Sequence, residues 1–159
     1  MPIIELQTLI NSDIETCFDL ARSIDLHKIS MRKSNEIAIG GVTSGLIGLN
    51  DFVTWEATHF GIKQQLTSKI TAFKRPYHFR DEQLKGVFKF ILHDHYFEVK
   101  DHTVLMKDIF RYQSPFGVVG KLADKIIVTG YLGKLLTNRN IILKEYAETG
   151  KWKEILNSK

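Results

Sequence analysis

The chain opens on IIELQTLI, where apolar and polar positions alternate, and that alternation predicts a strand with one buried face. Ser12 or Asp13 then stands where a helix N-cap belongs. Ile14, Cys17, Phe18 and Ala21 follow at three- and four-residue spacing, which predicts a short amphipathic helix. Residues 25–32 read as a second short helical piece, and the glycine-rich GGVTSGLIG after them reads as a loop or irregular strand. From Asp51 to Gln113 the period changes to two. Turn signals at Gly61, Arg75-Pro76, Lys85-Gly86 and Lys100-Asp101-His102 cut this stretch into five strand-length pieces, for which an antiparallel meander is the simplest arrangement. In IKQQLTSKITAF, Leu66, Ser68, Ile70 and Ala72 form one face, while Gln65, Thr67, Lys69 and Thr71 turn to water.

After Gln113 the period changes again. Ser114-Pro115 has the form of a helix start, with Ser as N-cap and Pro at the first helical position, where its missing N–H costs nothing. Val118, Leu122, Ile126, Val128, Leu132, Leu135 or Leu136, Ile142 and Tyr146 then make an apolar stripe over about eight turns. Gly130 and Gly133 lie inside it at about 1 kcal/mol each relative to Ala, so the pattern predicts close packing or a bend there. Gly150 is the expected C-cap. The whole order predicts an α+β fold: a curved antiparallel sheet wrapped around a long C-terminal helix, with two short helices after the first strand. A bent sheet around a helix leaves a concave apolar space between them, the kind of place where small molecules bind.

Composition adds bounds. At 159 residues, 43% hydrophobic and 25% charged, the chain is the size and make-up of one globular domain, read here as residues 1–159 without linker or repeat. The only cysteine, Cys17, permits no internal disulfide, and on the apolar helix face it reads as core. MPIIELQTLI has no basic leader segment, and no apolar run approaches the length of a membrane span, so a cytoplasmic location is expected. Lys and Arg balance Asp and Glu at 14 against 14 through residue 120, then exceed them 8 to 4. The excess is interleaved with Glu145, Glu148 and Glu154, which reads as a solvated helix face rather than a nucleic-acid surface. Nothing in the pattern sets an oligomeric state.

Several strings carry a resemblance. TSGLIGLNDFVTWEATHFGI, LTSKITAF, YHFRDEQLKGVFKF, HDHYFE and the segment from SPFG to LADK resemble a bacterial branch of ligand-binding proteins in the START-like helix-grip (SRPBCC) superfamily, some labelled cell-division-inhibitor-like. The likeness runs from about residue 3 to 149. It implies a hydrophobic cavity between sheet and long helix for a lipid, polyketide or similar molecule, and it carries no catalytic motif over to this chain.

Alternation assigns the cavity wall. Ile91, His93, His95 and Phe97 share one strand face, as do Val104, Met106, Asp108, Phe110 and Tyr112; Trp55, Ala57 and His59; and Tyr77, Phe79, Asp81 and Gln83. The expected ligand-binding residues are therefore Trp55, His59, Tyr77, Phe79, Asp81, His93, His95, Phe97, Met106, Asp108, Phe110 and Leu132, with His93, His95 and Asp108 as polar anchors. Buried polar groups need partners, so this set either satisfies itself, orients the polar end of a ligand, or carries chemistry. His93 and His95 are close enough to share a metal, with Asp81 or Asp108 as a third ligand, but H-x-H without a defined third spacing is a weak signal. No metal and no cofactor is expected. Binding of a small hydrophobic molecule without catalysis is the first reading; an aromatase- or cyclase-like enzyme using a His–Asp pair, or an interaction module with a closed core, are the alternatives. GGVTSGLIG lacks the Gly-Lys-Ser/Thr ending of a phosphate loop and reads as a lid.

Overall fold

The computed structural model describes residues 1–114 and 127–157. The expected helix start at Pro115 and the stripe positions Val118, Leu122 and Ile126 lie outside them. Strand β1 (Ile3–Ile10) leads into α1 (Ile14–Ala21) and α2 (Ile24–Ser30), and a short 3₁₀ turn (Arg32–Ser34) precedes β2 (Ile37–Gly41). The meander follows as β3 (Phe52–His59), β4 (Ile62–Lys74), β5 (His78–Lys85), β6 (Phe90–Lys100) and β7 (Thr103–Gln113). Helices α3 (Thr129–Glu148) and α4 (Trp152–Leu156) close the chain. Among the described residues the strands form one sheet in the order β1-β7-β6-β5-β4-β3-β2, every pairing antiparallel.

Local chemistry sets the boundaries. Asp13 caps α1 by accepting from the Thr16 N–H at 2.8 Å, and Ser23 caps α2 by accepting from the Leu26 N–H at 3.2 Å. Phe60 and Gly61 both take positive φ, 52° and 74°, so a two-residue hairpin joins His59 to Ile62. Gly150, at φ 76°, stops α3 one residue past its Thr149 cap, as its position predicts.

The sheet bends where registers slip. Ile70 pairs with Asp81 but Ala72 pairs with Arg80, so Thr71 is an extra residue on β4. The slip reverses the faces beyond it. Simple alternation aims Ala72 at the core; Phe73 takes that role instead, opposite Phe79 and edge-on to Phe18 at 5.4 Å between ring centroids.

Two apolar clusters fill the concave side. The larger joins α1 and the sheet through Cys17, Phe18, Phe79, Phe97, Met106 and Leu143, and the smaller holds Ile4, Ile91, Phe110, Tyr112 and Leu136. Phe18 receives the edges or faces of three rings, Phe73, Phe79 and Phe97, at 5.3–5.4 Å. Cys17 is fully buried, and burial with the nearby Asp13 carboxylate pushes its thiol up to about 12, which leaves it an inert core group. Trp152, Ile155 and Leu156 of α4 pack onto the larger cluster. Among the described residues, nothing stands within contact distance of a Cβ placed on Gly130 or Gly133.

The glycine-rich segment expected as a lid is tied to the first two helices. Gly45 donates to Asp25 and accepts from the Ile24 N–H, and Ile47 is buried in the larger cluster.

Candidate functional site

A polar layer lies between the two apolar clusters. Three adjacent strands and the long helix supply it: Asp81 from β5, His93 and His95 from β6, Asp108 from β7, and Arg139 with Asn140 from α3. The register puts them side by side, since Asp81 pairs with His93 and His95 with Asp108. All but Asp81 are buried; the Asp81 side chain keeps 27% of its surface exposed.

Asp108 is the hub. With Asp108 a carboxylate, the Nε2 of His93 donates to its Oδ1 at 2.9 Å, and Asn140 Nδ2 donates to its Oδ2 at 2.7 Å. His95 Nδ1 also lies 2.9 Å from Oδ1, but off the line of a good hydrogen bond, and it has no other partner. On the opposite side of its ring, His95 Nε2 bonds to Asp81 Oδ2 at 3.0 Å, while His93 Nδ1 stands 3.8 Å from that same oxygen. Arg139 Nη1 is 3.6 Å from Asp108, and Nη2 donates to the Ala21 carbonyl at 2.9 Å, which anchors the guanidinium to α1. The two imidazoles lie 3.8 Å apart with their planes tilted by 39°, with Phe79 stacked on His95 at 4.2 Å and Phe110 edge-on to His93 at 5.1 Å.

These contacts decide the charges. Burial would raise the Asp108 pKa, but the hydrogen bond from His93 and the His95 ring 2.9 Å away outweigh it and hold the carboxyl well below its usual range. Asp81 is lowered likewise, its desolvation overcome by the His95 bond and the His93 ring. Burial would also neutralise His95, yet the Asp108 carboxylate 2.9 Å from its Nδ1 and the hydrogen bond to Asp81 raise its pKa. For His93, burial and the neighbouring His95 prevail and lower it. The layer thus sets two carboxylates held below their usual range against the Arg139 guanidinium and a His95 ring whose protonated form is favoured, while the protonated form of His93 is disfavoured, a pairing of charges that a low-dielectric interior demands.

Further along the concave face, the Gln83 amide donates to the Phe88 carbonyl at 2.7 Å, while its Oε1 is buried without a partner. Leu66 is its neighbour, for a Cβ on Gly86 would meet both Gln83 Oε1 and the Leu66 side chain. Asp81 Oδ1 makes no bond among the described residues.

The remaining expected residues divide. Phe79, Phe97 and Met106 are buried in the larger cluster, Phe110 in the smaller, and Leu132 packs on the smaller cluster partly exposed. Trp55 is buried but stacks on His27 at 4.3 Å, and His59 Nδ1 pairs with Tyr131 Oη at 2.9 Å, so neither joins the polar layer. Tyr77 corrects the face assignment: it is 53% exposed, because it belongs to the turn before β5, where its N–H bonds back to Lys74.

Arg139 and Asn140 are missing from the expected set, and so is a second cluster on the sheet's other face. There Asp94, wholly buried, accepts from His78 Nε2 at 2.8 Å, Arg80 Nε and Nη2 at 2.8 and 3.0 Å, and Arg111 Nη1 at 2.9 Å. Burial would raise the Asp94 pKa, but these donors hold it down. The geometry stitches β5, β6 and β7 together.

Among the described residues no helix is long and apolar enough to cross a membrane. No protein-family model matches the chain, and no curated protein matches it. Solved structures do. TTHA0849 from Thermus thermophilus superposes with a TM-score of 0.75 at 14% identity, covering 92% of this chain and 97% of that one. Ginseng major latex-like protein 151 from Panax ginseng gives 0.66 at 15% identity, and Ara h 8.0201 gives 0.65 at 11%, each over 92% of this chain and 97% of its own. What these likenesses and the sheet order establish together is architecture: the chain has the helix-grip fold, a curved seven-stranded antiparallel sheet with a long C-terminal helix and short helices after the first strand.

Proposed function

We propose that the protein binds a small, largely apolar molecule on the concave face of the sheet, with the polar end of that molecule hydrogen-bonded beside Asp81 and Gln83. One observation carries this reading. Gln83 Oε1 is buried with its lone pairs unused, the open oxygen of Asp81 is on the same strand face, and Leu66 beside Gln83 packs on the smaller apolar cluster, which holds Ile91 and Phe110 and on which Leu132 also packs. Leaving a buried acceptor unpaired costs about 1–3 kcal/mol, a cost that a bound partner removes. Both groups are acceptors, so the matching ligand brings a donor, a hydroxyl or an amine, on an apolar body.

The other buried groups support a binding role through their rigidity. Asp108 fixes the His93 ring and Asn140 fixes Asp108, so the polar layer is held in place by bonds within the protein, which lowers the cost of ordering a site for a ligand. The test is native mass spectrometry, with organic extraction, of protein purified without denaturant. A co-purifying apolar molecule carrying a hydroxyl or amine is expected, with its retention reduced in Gln83→Leu. Protein that carries nothing and also fails to take up apolar probes overturns the reading.

A further inference from the structure

Asp81, His93 and His95 offer one ligating atom each, all within 4.8 Å of one another, from two adjacent strands. Proximity alone is a weak criterion; the groups behind the rings are more informative. Asp108 Oδ1 accepts from His93 Nε2 at 2.9 Å and lies 2.9 Å from His95 Nδ1, the latter off the line of a good hydrogen bond, so one carboxylate oxygen stands behind both rings. The other two ring nitrogens, His93 Nδ1 and His95 Nε2, are thereby turned toward Asp81 Oδ2, at 3.8 and 3.0 Å. A carboxylate that holds the far nitrogens of metal-binding histidines is the usual support of such a site, because it fixes the tautomer and makes the ligating nitrogen more basic. Asp108 is itself held by Asn140, and the Arg139 guanidinium 3.6 Å from it offsets part of its charge.

From this geometry we infer that Asp81 Oδ2, His93 Nδ1 and His95 Nε2 form a binding site for one divalent transition-metal ion, with Asp108 as its supporting carboxylate. The donor set, two imidazoles and one carboxylate, suits Zn²⁺ or Fe²⁺ and disfavours Mg²⁺ and Ca²⁺, which prefer oxygen. Tetrahedral bonds of about 2.0–2.2 Å place ligand atoms roughly 3.3 Å apart; the two separations to Asp81 Oδ2, 3.8 and 3.0 Å, are close to that, and the ring nitrogens, within 4.8 Å, must draw together on binding. In the metal-free chain a proton occupies the line between His95 Nε2 and Asp81. The remaining coordination positions open on the Asp81 side, the one part of the layer that reaches solvent. The inference stands apart from the binding of an apolar molecule, since it is tested with the metal alone.

The experiment is equilibrium dialysis of chelator-treated full chain against Zn²⁺, followed by metal analysis, with Co²⁺ absorption as a second readout. One equivalent per chain is expected, with Co²⁺ bands of a low-coordinate nitrogen and oxygen site. His93→Ala and Asp81→Asn should each lose at least tenfold in affinity. Asp108→Asn should lose between about tenfold and a hundredfold although it donates no ligand. His59→Ala, at a histidine outside the layer, should bind as the parent does. The parent chain alone decides the matter if variants fail to fold: uptake well below one equivalent overturns the inference. So does stoichiometric uptake that His93→Ala and Asp81→Asn leave unchanged while folded.

Discussion

Asn140 and Asp108 are 32 residues apart in the chain and 2.7 Å apart in the structure, the amide of one donating to the carboxylate of the other. That bond joins the middle of α3 to the middle of β7, and it is buried at both ends. It fixes which residues of the helix face the sheet, because apolar contacts alone would allow α3 to slide or rotate at little cost. Directional bonds to a buried carboxylate do not.

Removing this bond should therefore be expensive. Asn140→Leu keeps the number and branching of the side-chain heavy atoms but leaves Asp108 Oδ2 without its donor, and the fold should lose about 1–3 kcal/mol. Urea unfolding measures it. Thr137→Ala, on the exposed face of the same helix, is the control and should change stability by no more than about 0.5 kcal/mol. Equal effects at the two positions would show that the polar layer is not what seats the helix.

Asp94 makes the comparable case on the other face of the sheet. Its four donors come from β5 and β7, and Arg80 and Arg111 keep about a third of their side-chain surface in water, at 34% and 30%. Asp94→Asn retains the shape while withdrawing the charge that both guanidiniums share. The expected loss is about 1–2 kcal/mol, since part of each arginine's solvation is recovered. A thermal unfolding midpoint unchanged from the parent would refute the assigned role.

Much of the architecture is legible from period alone. The five meander strands, the Gly61 hairpin, the Asp13 cap and the Gly150 stop each rest on a local rule that the fold obeys. The departures have identifiable causes. The extra Thr71 turns Phe73 inward, and a bulge leaves no trace in a hydrophobic pattern. Tyr77 follows the alternation of β5 on paper but sits in the turn before it. Alternation sets His93, His95 and Asp108 on inward faces, though it does not show that one carboxylate serves both rings. Arg139 and Asn140 are hidden by their type, since polar residues on a basic helix read as solvated. Their spacing is the available signal: they fall three and four residues after Leu136 and before Leu143, on the same buried stripe as Ala147.

Acid should weaken the contact between α1 and the β4–β5 turn. Asp19 accepts from Arg22 at 2.8 Å and from Arg75 at 3.1 and 2.8 Å. Partial burial would raise its pKa, but the Arg75 and Arg22 hydrogen bonds outweigh this and lower it. A carboxyl whose pKa is lower in the folded chain stabilises the fold above its unfolded pKa, and that stability disappears as pH falls through the folded value. Asp19→Asn should thus melt below the parent at neutral pH, with the gap closing in acid. A gap independent of pH would mean that the asparagine perturbs packing and that the ion pairs contribute nothing.

Binding on the concave face can be tested through Phe110. Its ring is nearly buried, at 8% exposure, edge-on to His93 and within the smaller apolar cluster. An apolar ligand anchored near Asp81 would have to share this space, so a larger ring should obstruct it. Phe110→Trp is expected to weaken saturable binding of a naphthalene or fatty-acid fluorescent probe by roughly tenfold, about 1.4 kcal/mol. Overpacking costs about 1–3 kcal/mol of fold stability, so binding must be measured at a temperature where the variant's near-UV circular dichroism matches the parent's. A folded variant that binds the probe as tightly as the parent would place the ligand elsewhere, since no apolar molecule could occupy this face and be indifferent to the size of the ring at its centre.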